Sequence, residues 1–398
     1  MLFSARPVRY IFFMVNEILA NEHYILSGSK RLRCGFTTGT CAALASRAAV
    51  EALLTGSLPK TVQLRTPKGW LAKAEVIADG QLLPWKEGGR TFCCGVQKDA
   101  GDDPDVTDGC HVFASVELFP AEKESCGDEA LEVTIEGGKG VGRVTKPGLD
   151  QLPGQAAINH VPRQMIRDAV ADMCEACAFC GRVNVCISVP EGEELAKKTF
   201  NPHLGIEGGI SIIGTSGVVE PMSEQALLDA LEAEISVIAA SYKGKTQRPL
   251  IITPGNYGKD FIARHPEWKD IPVLRCANFI GNAIDLAAAY AFTHVIFVGH
   301  AGKFVKLAGG IMNTHSRIAD ARLELICAHA ALCGADRETC GRLMECATVD
   351  AALAVLSQKG LADVTFRSLA EAARRYLGRR VNGAYSFDFF MFTSDYCF

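Results

Sequence analysis

No run of about 18 apolar residues occurs in this chain of 398, so no segment has the length and apolarity of a membrane-spanning helix. Nor is there a basic excess. Lysine and arginine number 41 against 45 aspartates and glutamates, for a net charge of −4, and no basic stripe stands out. Non-specific nucleic-acid binding draws on such an excess, so nucleic acid is excluded as the expected partner. Neither G-x-G-x-x-G nor G-x-x-x-x-G-K-[ST] is present, so neither a dinucleotide nor a P-loop nucleotide fingerprint supports a function. Internal repeats and low-complexity tracts are also missing. The apolar stretch Tyr10–Val15 ends after six residues at Asn16-Glu17, and no small-residue cleavage site follows, which is too short for a signal peptide. One reading makes Met14 the native start and residues 1–13 an upstream extension, and intact-mass measurement would test it.

What is present begins with an ordinary globular composition, 48% hydrophobic and 22% charged, over a length comfortable for two cores. The 16 cysteines are scattered rather than set at framework spacings, and the expectation is reduced thiols in a cytoplasm. Between Thr40 and Leu54 the residues Ala42, Ala45, Ala49 and Leu53 recur at helical spacing, with Gly56 as the stop. Strands are expected at 61–65, 70–77, 112–118 and 131–135, then a helix at 162–173 and a strand at 183–189. Sequential strands of this kind point to an α+β domain. Beyond about residue 205 short apolar strands at 210–214, 250–253, 273–276 and 295–298 alternate with helices at 223–241, 256–264 and 281–290. Helices follow at 320–333 and 351–377. This alternation predicts a three-layer, Rossmann-like α/β domain over a parallel sheet, with a helical C-terminus. Turn signals near 190–207 place the boundary there: an N-terminal extension at 1–31, the α+β domain at 32–200, and the α/β domain at 201–398.

Three glycine-rich loops follow strands of the second half: Ile213–Ser223, Thr253–Gly258 and Gly299–Lys303. Ligands of open α/β sheets bind beyond the strands' carboxyl ends, where helix N-termini offer N–H groups. Each loop is also readable as a tight turn, but three in one half favour a nucleotide-like ligand. The stretch Lys98–Thr107 crowds four carboxylates into seven residues; Gly101 and Cys110 break the calcium-loop pattern. It reads as an exposed acidic turn or as acceptors facing a cationic or metal-bearing ligand. Cys174, Cys177 and Cys180, with Cys186 beyond, resemble part of an iron–sulfur run but miss the four-ligand spacing; buried cysteines on a helix face give the same pattern.

Ordered motifs from about residue 32 to 330 resemble the cobalt-precorrin-5B C1-methyltransferase (CbiD) family. They include Leu32–Ala43, Lys98–Thr107, Gly140–Leu149, Ala157–Asn159 with Val161–Arg163, Ile187–Pro190 and Ala196–Pro202. Leu204–Ile206, Gly208–Ile212, Pro221–Glu224, Gly299-His300, Gly302-Lys303 and Thr314–Ser316 near Asp320 and Glu324 complete the set. The resemblance implies methylation of C1 of cobalt-precorrin-5B by S-adenosylmethionine, giving cobalt-precorrin-6A in anaerobic cobalamin biosynthesis. A carboxylate-fringed cobalt tetrapyrrole then calls for cations and helix starts, with Thr37, Thr38, Arg143, Lys146, Arg163, Lys197, Lys198 and Lys303 as substrate-binding candidates. Lys139, Lys306 and Arg317 lie in the same segments. The methyl donor is expected against Gly208, Gly209, Thr215, Ser216, Gly217, Glu220, Gly255 and Gly258, with Asp260 also within a ribose's expected reach. Transfer is an in-line displacement served by positioning and exclusion of water, followed by proton removal for which His315, His300, Asp102 or Asp103 are candidates. No protein-bound metal is expected, and a homo-oligomer is left open. Two departures stand out. His203 occupies an expected arginine position and Cys34 an expected aromatic one, while the Cys174–Cys180 run and residues 1–31 are outside the family pattern. A corrinoid-pathway reductase and a Cys-ligated metal-binding protein are the alternatives.

Overall fold

The computed structural model describes residues 22–79, 90–121, 131–393 and 396–398, so the reading of residues 1–13 and of Met14 lies outside the described residues. The chain divides into two compact units, residues 1–224 and 225–398.

In the first unit, β1 (Tyr24–Ser27) and β2 (Lys30–Arg33) form an antiparallel hairpin, so part of the expected N-terminal extension is folded structure. After β3 (Gly35–Phe36) comes α1 (Thr38–Thr55), capped by the Thr37 hydroxyl and stopped by Gly56 in the left-handed region. The spacing of Ala42, Ala45, Ala49 and Leu53 predicts one buried face. In fact Ala43, Leu44, Ala48, Val50 and Ala52 are buried as well. Alanines make α1 thin enough to be enclosed on several sides.

The enclosing elements follow in order. They are β4 (Thr61–Arg65), paired with β5 (Leu71–Glu75), then β6 (Ile77–Ala78), β7 (Arg90–Gln97), β8 (His111–Pro120) and β9 (Leu131–Gly137). The short strands β10 (Gly140–Val141) and β11 (Arg143–Val144) precede α2 (His160–Ala176) and β12 (Gly181–Ser188). One five-stranded sheet has the order β6-β7-β8-β12-β9, antiparallel except at β12–β9. Alternation sends Val112, Ala114, Val116 and Leu118 of β8 and Val183, Val185 and Ile187 of β12 into the core with α1 and α2.

The expected boundary at 190–207 moves to residue 224. The two-residue strands β13 (Ile206–Glu207), β14 (Gly209–Ile210) and β15 (Val218–Val219) pair with β11, β10 and β3. Residues 201–224, expected in the α/β domain, therefore belong to the first unit. Strands this short carry no alternation that a sequence pattern can register.

The second unit contains α3 (Glu224–Ser241, from the last residue of the first unit), β16 (Pro249–Thr253), α4 (Tyr257–Ala263), β17 (Val273–Arg275), α5 (Ile280–Ala289), β18 (His294–His300) and α6 (Ala301–Phe304). Helices α7 (Arg322–Leu332), α8 (Arg337–Met344), α9 (Val349–Gln358) and α10 (Ala362–Val381) lead to β19 (Ser386–Phe392). The sheet order is β17-β16-β18-β19, parallel throughout. One face packs Leu250, Ile252, Val295, Phe297, Phe389 and Met391 against α3, α5 and α10. The other packs Ile251, Ile296, Val298 and Phe392 against Phe261, Ile262 and Trp268. Strands buried on both faces read as continuous apolar runs, as Phe387–Phe392 nearly does. The helical C-terminus is accordingly a crossover into a fourth strand rather than an extension. Among the described residues no helix is long and apolar enough to cross a membrane.

Candidate active site

The carboxyl end of the parallel sheet gathers four of the residues expected to act. Thr253 closes β16, and Gly255, with φ +104°, turns the chain into α4. His300 closes β18 and caps α6. Between these turns lies a cleft of about 150 Å³ lined by Thr253, Pro254, Tyr257, Gly258, His300, Gly302 and Lys303. Gly258 permits the closest approach, because a Cβ there would overlap the Thr253 hydroxyl. That hydroxyl is buried and has no hydrogen-bond partner among the described residues. Lys303 Nζ donates to the Ala277 carbonyl at 3.3 Å, linking the loops after β17 and β18. Burial lowers its ammonium below the ordinary lysine range, opposed by the Cys276 thiol. Tyr257 is 77% exposed, its ring centroid 5.6 Å from that of His300.

Both expected histidines have a ring nitrogen committed. His300 Nδ1 accepts the Gly302 N–H at 3.1 Å, and His315 Nδ1 accepts the Arg317 N–H at 3.1 Å. The neutral tautomer of each therefore carries its proton on Nε2, which makes it a donor there rather than a base. The loop bearing His315 is held from below by Lys306. This lysine is 2% exposed and donates to the Thr314 and Ala319 carbonyls at 3.0 and 2.8 Å, with Asp320 at 3.8 Å. Lys306 is a clamp, its donors spent within the protein.

In the first unit most candidate polar groups are likewise engaged. Thr38 Oγ1 accepts the Ile213 N–H, Gly39 N–H donates to the Ile213 carbonyl, and the Thr40 hydroxyl donates to the Gly217 carbonyl at 2.6 Å. The Thr37 hydroxyl caps Thr40 N–H. The loop 211–217 thus covers the start of α1, which the sequence reading offers to a substrate carboxylate. Ser216 bonds to Val218, Thr215 is exposed, and Glu220 pairs with Lys68. Gly208, with φ +81°, is exposed; Gly209 sits against the Gly140 carbonyl.

The acidic turn is internal bracing. Asp99 takes the Arg33 guanidinium bidentately at 2.6 and 2.7 Å, Asp102 accepts the Arg33 N–H at 2.6 Å, and Asp103 accepts the Met222 N–H at 2.9 Å. Arg163 donates to the carbonyls of Ile158, Ile135 and Ala156, and burial lowers its guanidinium from the usual value. Arg143 pairs with Glu136 at 3.0 Å and Lys197 with Glu194. The Lys146 stem packs on Gly205, and Lys198 is exposed. Of the eight expected substrate contacts, Lys303 is the one that lines the cleft.

Residues 26–221 match the family profile described as CbiD, and residues 313–396 match that of the CbiD C-terminal domain. A relative from Ruminiclostridium cellulolyticum, described as cobalt-precorrin-5B C(1)-methyltransferase, is 44% identical over 94% of this chain and 92% of its own. One from Thermoanaerobacter sp. with the same description is 45% identical over 85% of this chain and 87% of its own. The 1.9 Å crystal structure of a cobalamin biosynthesis protein (CbiD) from Archaeoglobus fulgidus is 27% identical, covering 77% of this chain and 90% of its own at a TM-score of 0.39. The chain belongs to the CbiD family.

Within this CbiD chain the cleft also draws in Thr253 and Tyr257, which the sequence reading leaves among loop residues. A threonine closing an apolar strand before Pro-Gly was the available signal. The glycine-rich segments expected to share one ligand are divided: Gly208, Gly209, Thr215, Ser216, Gly217 and Glu220 lie in the first unit, Gly255 and Gly258 in the second. Among the described residues no group of three or more His, Cys, Asp or Glu is placed to hold a metal ion. Burial pushes the Cys174 thiol up to about 12.

Proposed function

We propose that this chain transfers a methyl group from S-adenosylmethionine to C1 of cobalt-precorrin-5B, giving cobalt-precorrin-6A. The observation that carries the reading is identity of 44% across 94% of the chain to a relative bearing that activity in its description. The second unit supports a Rossmann-like assignment through its parallel sheet, helices on both faces, and a cleft at the strands' carboxyl ends.

The cleft's chemistry fits part of the donor. At about 150 Å³ it is smaller than the roughly 300–1,000 Å³ of sites that enclose a whole ligand, so it receives one polar group of a larger molecule. S-adenosylmethionine supplies an electrophilic methyl on a sulfonium. As the ring carbon's electron pair forms the new C–C bond, the C–S pair returns to sulfur and leaves the thioether. This chain's residues position the partners and exclude water. A neutral His300 offers an N–H from Nε2, and the proton released as conjugation is restored is taken up by solvent water.

The test incubates the purified full chain with cobalt-precorrin-5B, with and without S-adenosylmethionine, and weighs the macrocycle. A gain of one methyl at C1 that requires S-adenosylmethionine is the expected result. No gain, or a gain independent of the donor, overturns the reading.

A further inference from the structure

We propose that the cleft beyond β16 and β18 is a carboxylate-binding site, in which Lys303 supplies the counter-charge and Tyr257 the wall. The proposal deepens the methyl-transfer reading and rests on it for the ligand's identity.

Lys303 is the one lysine or arginine among the described residues that line the cleft. It is half-buried, and among the described residues it makes no ion pair. One of its three N–H groups reaches Ala277 at 3.3 Å, which leaves two to be satisfied. A cation partly withdrawn from water without a counter-ion is suited to a ligand that supplies the opposite charge. Lys306, three residues on, shows the compensated alternative: its ammonium is buried against two carbonyls and Asp320. Asp350 faces His300 Nε2 at 4.0 Å and makes no ion pair with Lys303.

The surroundings favour an anion. A Cβ on Gly255 would come to 4.0 Å from Lys303 Nζ, so its absence keeps that side of the ammonium open. His300, with Nδ1 accepting from Gly302, presents an N–H at Nε2. Tyr257 offers an exposed aromatic face beside this imidazole, suited to the flat part of a ligand whose carboxylate enters the cleft. A carboxylate is the anion that both reactants carry. It is either the amino-acid carboxylate of the methyl donor or an acetate or propionate of the macrocycle.

The experiment titrates wild type, K303M and K303R full chains by calorimetry with S-adenosylhomocysteine and with its decarboxylated analogue, which keeps the amine. Uroporphyrin, an octacarboxylate tetrapyrrole, is titrated by absorbance, and circular dichroism verifies that each variant folds. If the donor's carboxylate occupies the cleft, wild type prefers S-adenosylhomocysteine over the analogue by about tenfold, the worth of one charge-assisted hydrogen bond. K303M then removes the preference and K303R retains most of it. If the macrocycle's carboxylate occupies it, K303M weakens uroporphyrin about tenfold and leaves the nucleosides unchanged. A folded K303M that binds all three as tightly as wild type overturns the proposal. Since the readout is binding, that result leaves methyl transfer standing, whereas Lys303-dependent binding without turnover counts against methyl transfer alone.

Discussion

The backbone N–H of Ile213 donates to the hydroxyl of Thr38 at 3.0 Å, across 175 residues of chain. With Gly39 N–H on the Ile213 carbonyl and the Thr40 hydroxyl on the Gly217 carbonyl, this bond seats the 211–217 loop on the first turn of α1. The threonines of this motif are structural before they are anything else. T38V keeps the shape and strands the Ile213 N–H, so it should lower stability by about 1–3 kcal/mol in urea unfolding. A loss below a few tenths would mean that the loop is held by other contacts.

Arg33 and Asp99 set an acid limb on the first unit. The Arg33 hydrogen bonds hold the Asp99 carboxyl below its usual range, outweighing the burial that would raise it. A carboxyl whose folded value is depressed contributes stability that is present above its unfolded value near 3.9 and is lost as pH falls through the folded one. The urea midpoint of wild type should therefore drop below about pH 4 more steeply than that of D99N, and the two curves should converge in acid. Parallel curves would remove the pair from the account. The side chain is more than half exposed, so added salt should shrink the difference.

Thr253 carries a buried hydroxyl with no hydrogen-bond partner among the described residues. T253V replaces it with a methyl of similar shape and should raise the stability of the ligand-free chain by about 1 kcal/mol, read from thermal unfolding with the slope at Tm. The neighbouring G258A should destabilise, since its Cβ overlaps that hydroxyl. T253A should rescue G258A by clearing the space, whereas additive losses in the double variant would separate the two positions.

His300 caps α6 through Nδ1, and asparagine is a good replacement for a cap acceptor. H300N should keep that turn and lose less than about tenfold in methyl-transfer rate. Removal of a general base costs about 10²–10⁴-fold. A loss in that range, with folding intact, would restore His300 as the proton acceptor.

Much of the architecture could be read beforehand, and the exceptions have physical reasons. The helix at Thr38–Thr55, the strands near 61–65, 112–118 and 183–189, and the alternation of β16, α4, β17, α5 and β18 announce themselves through local periodicity and stop signals. The strand β19 and the short pairs β10–β14, β11–β13 and β15–β3 do not. The strand β19 shows an apolar run that follows a long helical stretch and is placed only by its pairing with β18. The paired strands β10, β11, β13, β14, β15 and β3 are two residues each, too short for any periodicity. That is why residues 201–224, which look like the start of an α/β domain, close the first unit instead.

The candidate site divides along the same line. Composition, charge and ordered motifs were enough to reach the CbiD family, because residue identities survive in sequence without reference to neighbours. Whether a polar residue is free to act is a property of its surroundings. Arg163, Lys306, Asp102 and Lys303 look alike as charged residues in family-like segments. Only the folded chain shows three of them bound to their own backbone and the fourth, Lys303, with donors to spare beside an exposed tyrosine. Tertiary packing, by satisfying the donors of Arg163 and Lys306 and leaving part of Lys303's open, decided which residue was which.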